Sequence, residues 1–292
     1  MILRDWIDKS KLNYNLLCLN KNAIELLKAN PDKIYWHQLS RNSEAIELLR
    51  ENKDKIHWNI LSYNPAAIEL LKENPNKINW NMLSYNSKAI ELLKENPDKI
   101  NWDNLSYNKN AIELLRENQN KINWDNLSSN KNAIQLLKDN PDKINWEYIS
   151  INTKAIELIQ NNLNKIDWSN LCINKNAIEL LKENQDKINW NSLSSNINAI
   201  ELLRDNPNKI NWEYISNNEN AIELLRDNQD KIDWDMFSLN WSIFTYDYEK
   251  IKKNFEELAE EIIAKALHPK RIFRLIEEYG EDEIYNIYFD DY

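Results

Sequence analysis

A tryptophan stands at every twenty-second residue from Trp36 to Trp234, ten in succession without a slip, and Tyr14 takes the same phase one step earlier. An uninterrupted period of this length restricts the chain to a stacked-repeat architecture, in which each unit buries its apolar face against its neighbours. Other phases are as regular. Lys-Ile precedes the aromatic residue by three and two positions, from Lys33-Ile34 to Lys231-Ile232. Asn follows it by six in all eleven copies, from Asn20 to Asn240. Ala-Ile runs from Ala23-Ile24 to Ala221-Ile222, and a second Asn ladder from Asn30 to Asn228. No insertion interrupts the array, so no lid or catalytic loop is grafted onto it.

The copy from Trp102 to Asn123 shows what each unit should form. Asn108 is an N-cap, because its side chain can accept from the free amides of a first helical turn. Ala111, Ile112, Leu114 and Leu115 then share one helical face, and Glu113 can pair with Arg116 on the exposed side. Asn118 fits the left-handed position that follows many helices. Pro comes after the equivalent Asn at Pro31, Pro75, Pro97, Pro141 and Pro207, where it reinforces the stop. Asn123 caps a shorter element in which Trp124, Leu127 and Ser128 share a face, a short helix or 3₁₀ turn. The expectation is an all-α chain, an α-solenoid of about ten to eleven 22-residue helical repeats with a helical C-terminal cap. The competing arrangement is a leucine-rich-type repeat with a strand at 121–124. The period suits it, but the chain has no Val and only two Thr, which disfavours a strand.

The pattern divides the chain into three parts. Residues 1–11, with Ile2, Leu3, Trp6 and Ile7, are expected to cap the first repeat, as an exposed solenoid end requires. Residues 12–240 are the repeat array. Residues 241–292 form a different helical module with an acidic tail. There Asp247 caps a helix through Ile251, Phe255, Leu258, Ile262 and Leu267. His268-Pro269 breaks it, and a second helix through Ile272, Phe273, Leu275 and Ile276 stops at Gly280, the only glycine.

The formal net charge is −10, and residues 241–292 hold 7 Lys/Arg against 13 Asp/Glu. The array is therefore nearly neutral, with 30 basic and 34 acidic residues in 1–240. A general nucleic-acid binder needs a basic footprint, so nucleic acid is not the expected partner, although a locally basic face is compatible with these numbers. No apolar run approaches the length of a membrane span. Met1-Ile-Leu-Arg-Asp-Trp lacks the apolar stretch of a secretory signal, and secretion is not expected. Cys18 and Cys172 alone imply no disulfide framework.

Candidate chemistry does not survive the periodicity. Both cysteines stand where the other nine copies carry Ser, so they read as small packed substitutes, and the serines at that phase read as structural too. His37 and His57 flank Trp36 and Trp58 and can approach across adjacent repeats, but zinc normally wants three or four protein ligands. The Trp ladder, in phase with Ile and Leu, reads as core. A single glycine cannot build a phosphate-cradling loop. No catalytic, cofactor-binding or metal-binding residues are expected, and the chain is not read as an enzyme. Variation is concentrated at the residue before the capping Asn. Tyr63, Tyr85 and Tyr107 fill that phase in three successive copies and are the candidate partner-binding residues. Tyr offers a large contact area and a polar tip. The competing reading is ordinary packing between repeats.

The unit Asn-x-x-Ala-Ile-Glu-Leu-Leu-x-x-Asn-Pro-x-Lys-Ile-Asn-Trp-x-x-Leu-Ser resembles the short repeats of proteins encoded by mimivirus-type giant DNA viruses. The ending is similar to theirs as well, with Tyr246-Asp247-Tyr248 followed by the run from Ala264 through His268-Pro269-Lys270-Arg271. Together these features cover nearly the whole chain. The resemblance implies a viral protein expressed in a host cell, located in the host cytoplasm or in the virus particle, and it implies no activity. The abundance of Asn, Ile, Lys and Tyr, which have A/T-rich codons, agrees with this origin. The expected function is a non-enzymatic scaffold for protein–protein interaction with a host or viral partner. The alternative is a structural component of the particle.

Overall fold

The computed structural model describes residues 1–280 and Ile284; the remainder of the expected acidic tail lies outside the described residues. The chain divides into two compact units, one formed by Leu3–Phe244 and one by Met1–Ile2 together with the chain from Thr245 onward.

Each repeat in the first unit is a pair of short helices joined by tight turns. Asn108 accepts at Oδ1 from the Asn110 amide at 3.1 Å, and the helix Ile112–Glu117 follows that turn. Asn118 ends the helix in a way the sequence did not suggest. Its backbone lies at φ −130° and ψ 47°, outside the left-handed region. Its Nδ2 instead donates to the Leu114 carbonyl at 2.9 Å, satisfying one of the orphan carbonyls of the last turn directly. The same bond recurs at the second Asn ladder from Asn30 to Asn228. Gly280, at φ 95°, is the only described residue with positive φ. A 3₁₀ turn Gln119–Lys121 and the extended Ile122 lead to Asn123. Asn123 caps the helix Trp124–Ser129 by accepting from the Asn126 amide at 3.1 Å. Residues 121–124 are thus a turn end, two extended residues and a helix start, which removes the leucine-rich-type alternative. Both helices of the unit are four to six residues long in every copy, not one short and one longer. Helices of this length do not persist alone in water, so lateral packing holds them.

Two polar ladders tie each copy to the one before it. The eleven capping asparagines, Asn20 to Asn240, are at most 3% exposed. From Asn42 onward each donates from Nδ2 to carbonyls 22 and 24 residues earlier; Asn130 reaches Asn108 at 3.1 Å and Ser106 at 3.0 Å. With the cap bond, every such side chain makes three hydrogen bonds, as a buried amide should. The Ser ladder works beside it. Ser128 Oγ donates to the Trp124 carbonyl at 2.8 Å and accepts from the Asn145 amide of the next copy at 2.9 Å. Leu, Ile and Ala side chains fill the space between the ladders as one continuous core.

The array closes on itself. Asn20, in the first copy, donates to the carbonyls of Ser238 and Asn240 in the last at 3.1 and 3.0 Å. The Asn13 amide donates to Ser238 Oγ at 2.8 Å, as Asn145 does to Ser128. Asn13 Nδ2 donates to Asp235 at 2.9 Å, and Asn145 Nδ2 donates to Asp125 at the same distance. Lys11 lies 4.9 Å over Trp234, and Lys121 lies 4.5 Å over Trp102. The first copy therefore treats the eleventh as its predecessor. Eleven equivalent steps complete a ring, which corresponds to about 33° of rotation per repeat if the steps are equal.

Residues 1–11 accordingly have no open end to cap. Residues 3–12 supply the half of the eleventh unit that the end of the array lacks. Lys9–Lys11 is a 3₁₀ turn at the phase of Pro31–Lys33, and Leu12 is buried at the phase of Ile34. Ile7 is buried, and Trp6 packs on Phe237 with ring centroids 5.8 Å apart. Eleven Trp- or Tyr-led helices are accompanied by ten Ile-led ones. At the eleventh position Phe244 is extended, and the Arg4 amide donates to the Ile243 carbonyl at 3.0 Å. The two-residue strands Ile2–Leu3 and Phe244–Thr245 pair there.

The Trp ladder is half-buried, not fully enclosed as the sequence suggested. Each ring packs one side on the core. The lysine of the next copy covers several of them from outside, with Lys55 4.7 Å over Trp36 and Lys99 4.4 Å over Trp80. Such cation–π contacts let a large aromatic residue sit at the surface without exposing its whole face.

In the second unit, the helix Tyr248–Ala266 is capped by Asp247, which accepts from the Lys250 amide at 3.1 Å. Pro269 opens the helix Pro269–Tyr279, and Gly280 ends it. Ile251, Phe255, Leu258 and Ile262 are exposed along the longer helix.

The Asn ladder gives a direct test. Asn130→Leu keeps the side-chain shape but leaves the Ser106 carbonyl and the Asn132 amide without these partners and removes one of the two bonds to the Asn108 carbonyl, in a site 3% exposed. A urea melt is expected to show a loss of about 3–5 kcal/mol. A change within about 0.5 kcal/mol, the usual range for surface substitutions, would show that the ladder does not hold the copies together.

Candidate interaction face

The inner side of the ring is identified by which elements crowd together. Successive Trp-led helices approach one another closely, while successive Ile-led helices are farther apart. In a closed ring the crowded side is the concave one. A cavity of about 530 Å³ is lined by residues from six successive copies, Tyr63 through Lys175. Another of about 320 Å³ lies at the seam, between Leu19, Ile197, Asn217 and Trp241. Both are lined chiefly by residues flanking the capping Asn, so these phases form the concave face.

The three candidate tyrosines form one stripe on that face. The Tyr63 and Tyr85 rings meet edge-on with centroids 6.0 Å apart, and Tyr85 and Tyr107 stack at 5.6 Å. Arg41 lies 5.9 Å from the centroid of Tyr63, on its face. Tyr63 is 43% exposed and Tyr107 37%, with Tyr85 half-buried between them. They pack on each other across repeats and still present an outer surface. Burial pushes the Tyr107 phenol up, and Tyr148, Tyr85 and Asp125 add to the effect, so this hydroxyl stays a hydrogen-bond donor at neutral pH.

Sequence reasoning missed a basic stripe beside the tyrosines. Lys109, Lys131 and Lys175 follow the capping Asn directly and line the larger cavity with the tyrosines. All three are exposed. None is in an ion pair among the described residues. On the Ile-led helices, by contrast, lysines pair with glutamates one turn away, as in Lys72–Glu69 and Lys94–Glu91. The expected Glu113–Arg116 pair is not formed, and such exposed pairs contribute little. The signal for the basic stripe was available in the phase after the capping Asn, but a nearly neutral array concealed it.

The remaining candidates have structural roles in the ladders. Cys18 and Cys172 are fully buried. Their sulfurs accept from the Tyr35 and Asn189 amides at 3.4 and 3.3 Å, where Ser Oγ does so in other copies. His37 and His57 do meet across adjacent repeats, edge to face at 4.5 Å. Among the described residues no group of three or more His, Cys, Asp or Glu is placed to hold a metal, and no helix is long and apolar enough to cross a membrane. No protein-family model matches the chain, and comparison with curated proteins and with solved structures finds no match.

Burial raises the pKa of both thiols, ahead of the opposing effect of the accepted amide bond. The folded protein is therefore expected to resist a thiol reagent at pH values up to the ordinary thiol pKa of about 8.5, and to react only on unfolding. Rapid labelling of either cysteine in the native state would contradict the structural role.

Proposed function

We propose that the ring is a non-enzymatic scaffold for protein–protein interaction and that its concave face receives the partner. The observation that carries this reading is the contiguous Tyr63–Tyr85–Tyr107 stripe, exposed on the inner wall of a fixed ring. A rigid surface with aromatic anchors loses little freedom on binding. Other copies carry Ser, Ile, Leu, Arg or Asn at this phase, so the repeat does not require Tyr for folding. The serines that could have served as nucleophiles are engaged with backbone groups, which supports a role without catalysis. The resemblance to giant-virus repeat proteins supports a viral protein acting in the host cell.

The test is the combined substitution Tyr63→Ser, Tyr85→Ser and Tyr107→Ser. Circular dichroism and melting should stay near those of the parent chain. Capture of the partner from infected-cell extract should weaken at least tenfold, because buried interface tyrosines commonly contribute over 1 kcal/mol each. Unchanged capture by a folded variant would exclude the stripe as the binding surface.

A further inference from the structure

We propose that the occupant of the concave face between Tyr63 and Lys175 is an extended acidic segment of a partner protein, with a carboxylate at about every second residue. This rests on the reading of the concave face as the interaction surface, and it adds the chemistry of what binds there. Lys109, Lys131 and Lys175 line this cavity, from three of its six copies. They stand immediately after a buried asparagine whose side chain bonds to the preceding copy. Their Cα positions are therefore set by the ring. No Asp or Glu occupies the residues flanking the capping Asn, or the next one, from Tyr63 to Asn176. Elsewhere around the face the same positions do carry acids, at Glu44 and Glu219. The basic stripe is local to one arc of an acidic protein.

Spacing determines the form of the ligand. On this face successive tyrosine rings lie 6.0 and 5.6 Å apart, and an extended chain advances about 3.3 Å per residue. One copy of the ring thus spans about two residues of an extended peptide. Lys109, Lys131 and Lys175, the first two in adjacent copies, match carboxylates at multiples of that interval. The Tyr107 hydroxyl, held protonated, can donate to a carboxylate, and the exposed part of the tyrosine stripe suits an apolar side chain at one end of the same segment.

A single-stranded nucleic acid is the other polyanion with an affinity for lysines and aromatic rings. It is disfavoured here. Bases need open ring faces, whereas Tyr85 and Tyr107 stack on each other and Arg41 lies over Tyr63. A net charge of −10 also opposes a long polyanion more than a short peptide.

The test uses the full chain and three fluorescent probes: a 15-residue peptide with Glu at every second position, the same peptide with Gln, and a 15-nucleotide oligothymidine. Anisotropy should show the Glu peptide binding at least tenfold more tightly than the other two, with affinity falling as salt is raised. Lys109→Glu, Lys131→Glu and Lys175→Glu combined should lower binding of the Glu peptide at least tenfold. Lys28→Glu, Lys72→Glu and Lys94→Glu combined, on the Ile-led helices, should leave it within twofold. A milder Lys109→Gln, Lys131→Gln and Lys175→Gln set, with a reduced effect, guards against misfolding of the reversed-charge variant. Equal binding of the Glu and Gln peptides, no binding of either, or tighter binding of the oligonucleotide would each overturn the proposal. None of these results bears on partner capture through the tyrosines, which is lost separately by the Tyr→Ser variant if that surface binds and kept if it does not.

Discussion

Everything in the ring depends on a buried asparagine amide that each copy spends partly on itself and partly on its predecessor. Its oxygen caps the turn that follows, and its nitrogen completes two carbonyls of the copy before. Leaving such carbonyls buried and unpaired costs about 1–3 kcal/mol each. An open array would leave one copy without a predecessor and one without a successor. Closure removes both mismatches, and Asn20 makes to the last copy the same pair of bonds that Asn42 makes to the first. The specialised terminal caps that open solenoids need are replaced here by residues 3–12, which finish the eleventh unit.

The same constraint explains why such small helices suffice. A helix of five residues contributes little by itself. The two polar ladders fix the register of each copy to its neighbour, which apolar packing alone specifies less sharply. With register fixed, Leu, Ile and Ala fill one continuous core. The side that carries the ladders and the Trp-led helices is drawn together, and curvature follows toward that side.

Much of this was legible in the sequence. The period, both Asn ladders, the caps at Asn108, Asn123 and Asp247, the equivalence of Cys with Ser, and the stop at Gly280 follow from residue types at fixed phases. Closure was not legible, because identical repeats say that every step is alike and leave the angle of the step open. It had one trace in the sequence. Lys11-Leu12 and Tyr14 continue the pattern at the start, while Trp241-Ser242-Ile243 breaks off after half a unit at the end. Asn118 was misjudged in backbone conformation because its amide reaches the Leu114 carbonyl, an interaction that glycine cannot make. The half-exposed Trp rings depend on lysines in the next copy, a contact between repeats that spacing within one repeat does not show. The basic stripe was hidden because its three lysines share a phase with uncharged and acidic residues in other copies, and acids elsewhere balance the total.

The central claim is that the first and eleventh copies are neighbours. It can be measured in solution with spin labels at Lys11→Cys and Lys231→Cys, in a chain where Cys18→Ser and Cys172→Ser remove the native thiols. These sites share a phase and are one step apart across the seam, as Lys99 and Lys121 are within the array. The account predicts that double electron–electron resonance gives the same distance distribution for the seam pair as for a Lys99→Cys and Lys121→Cys control. A seam distance several times that of the control would mean an open array and would contradict the ring.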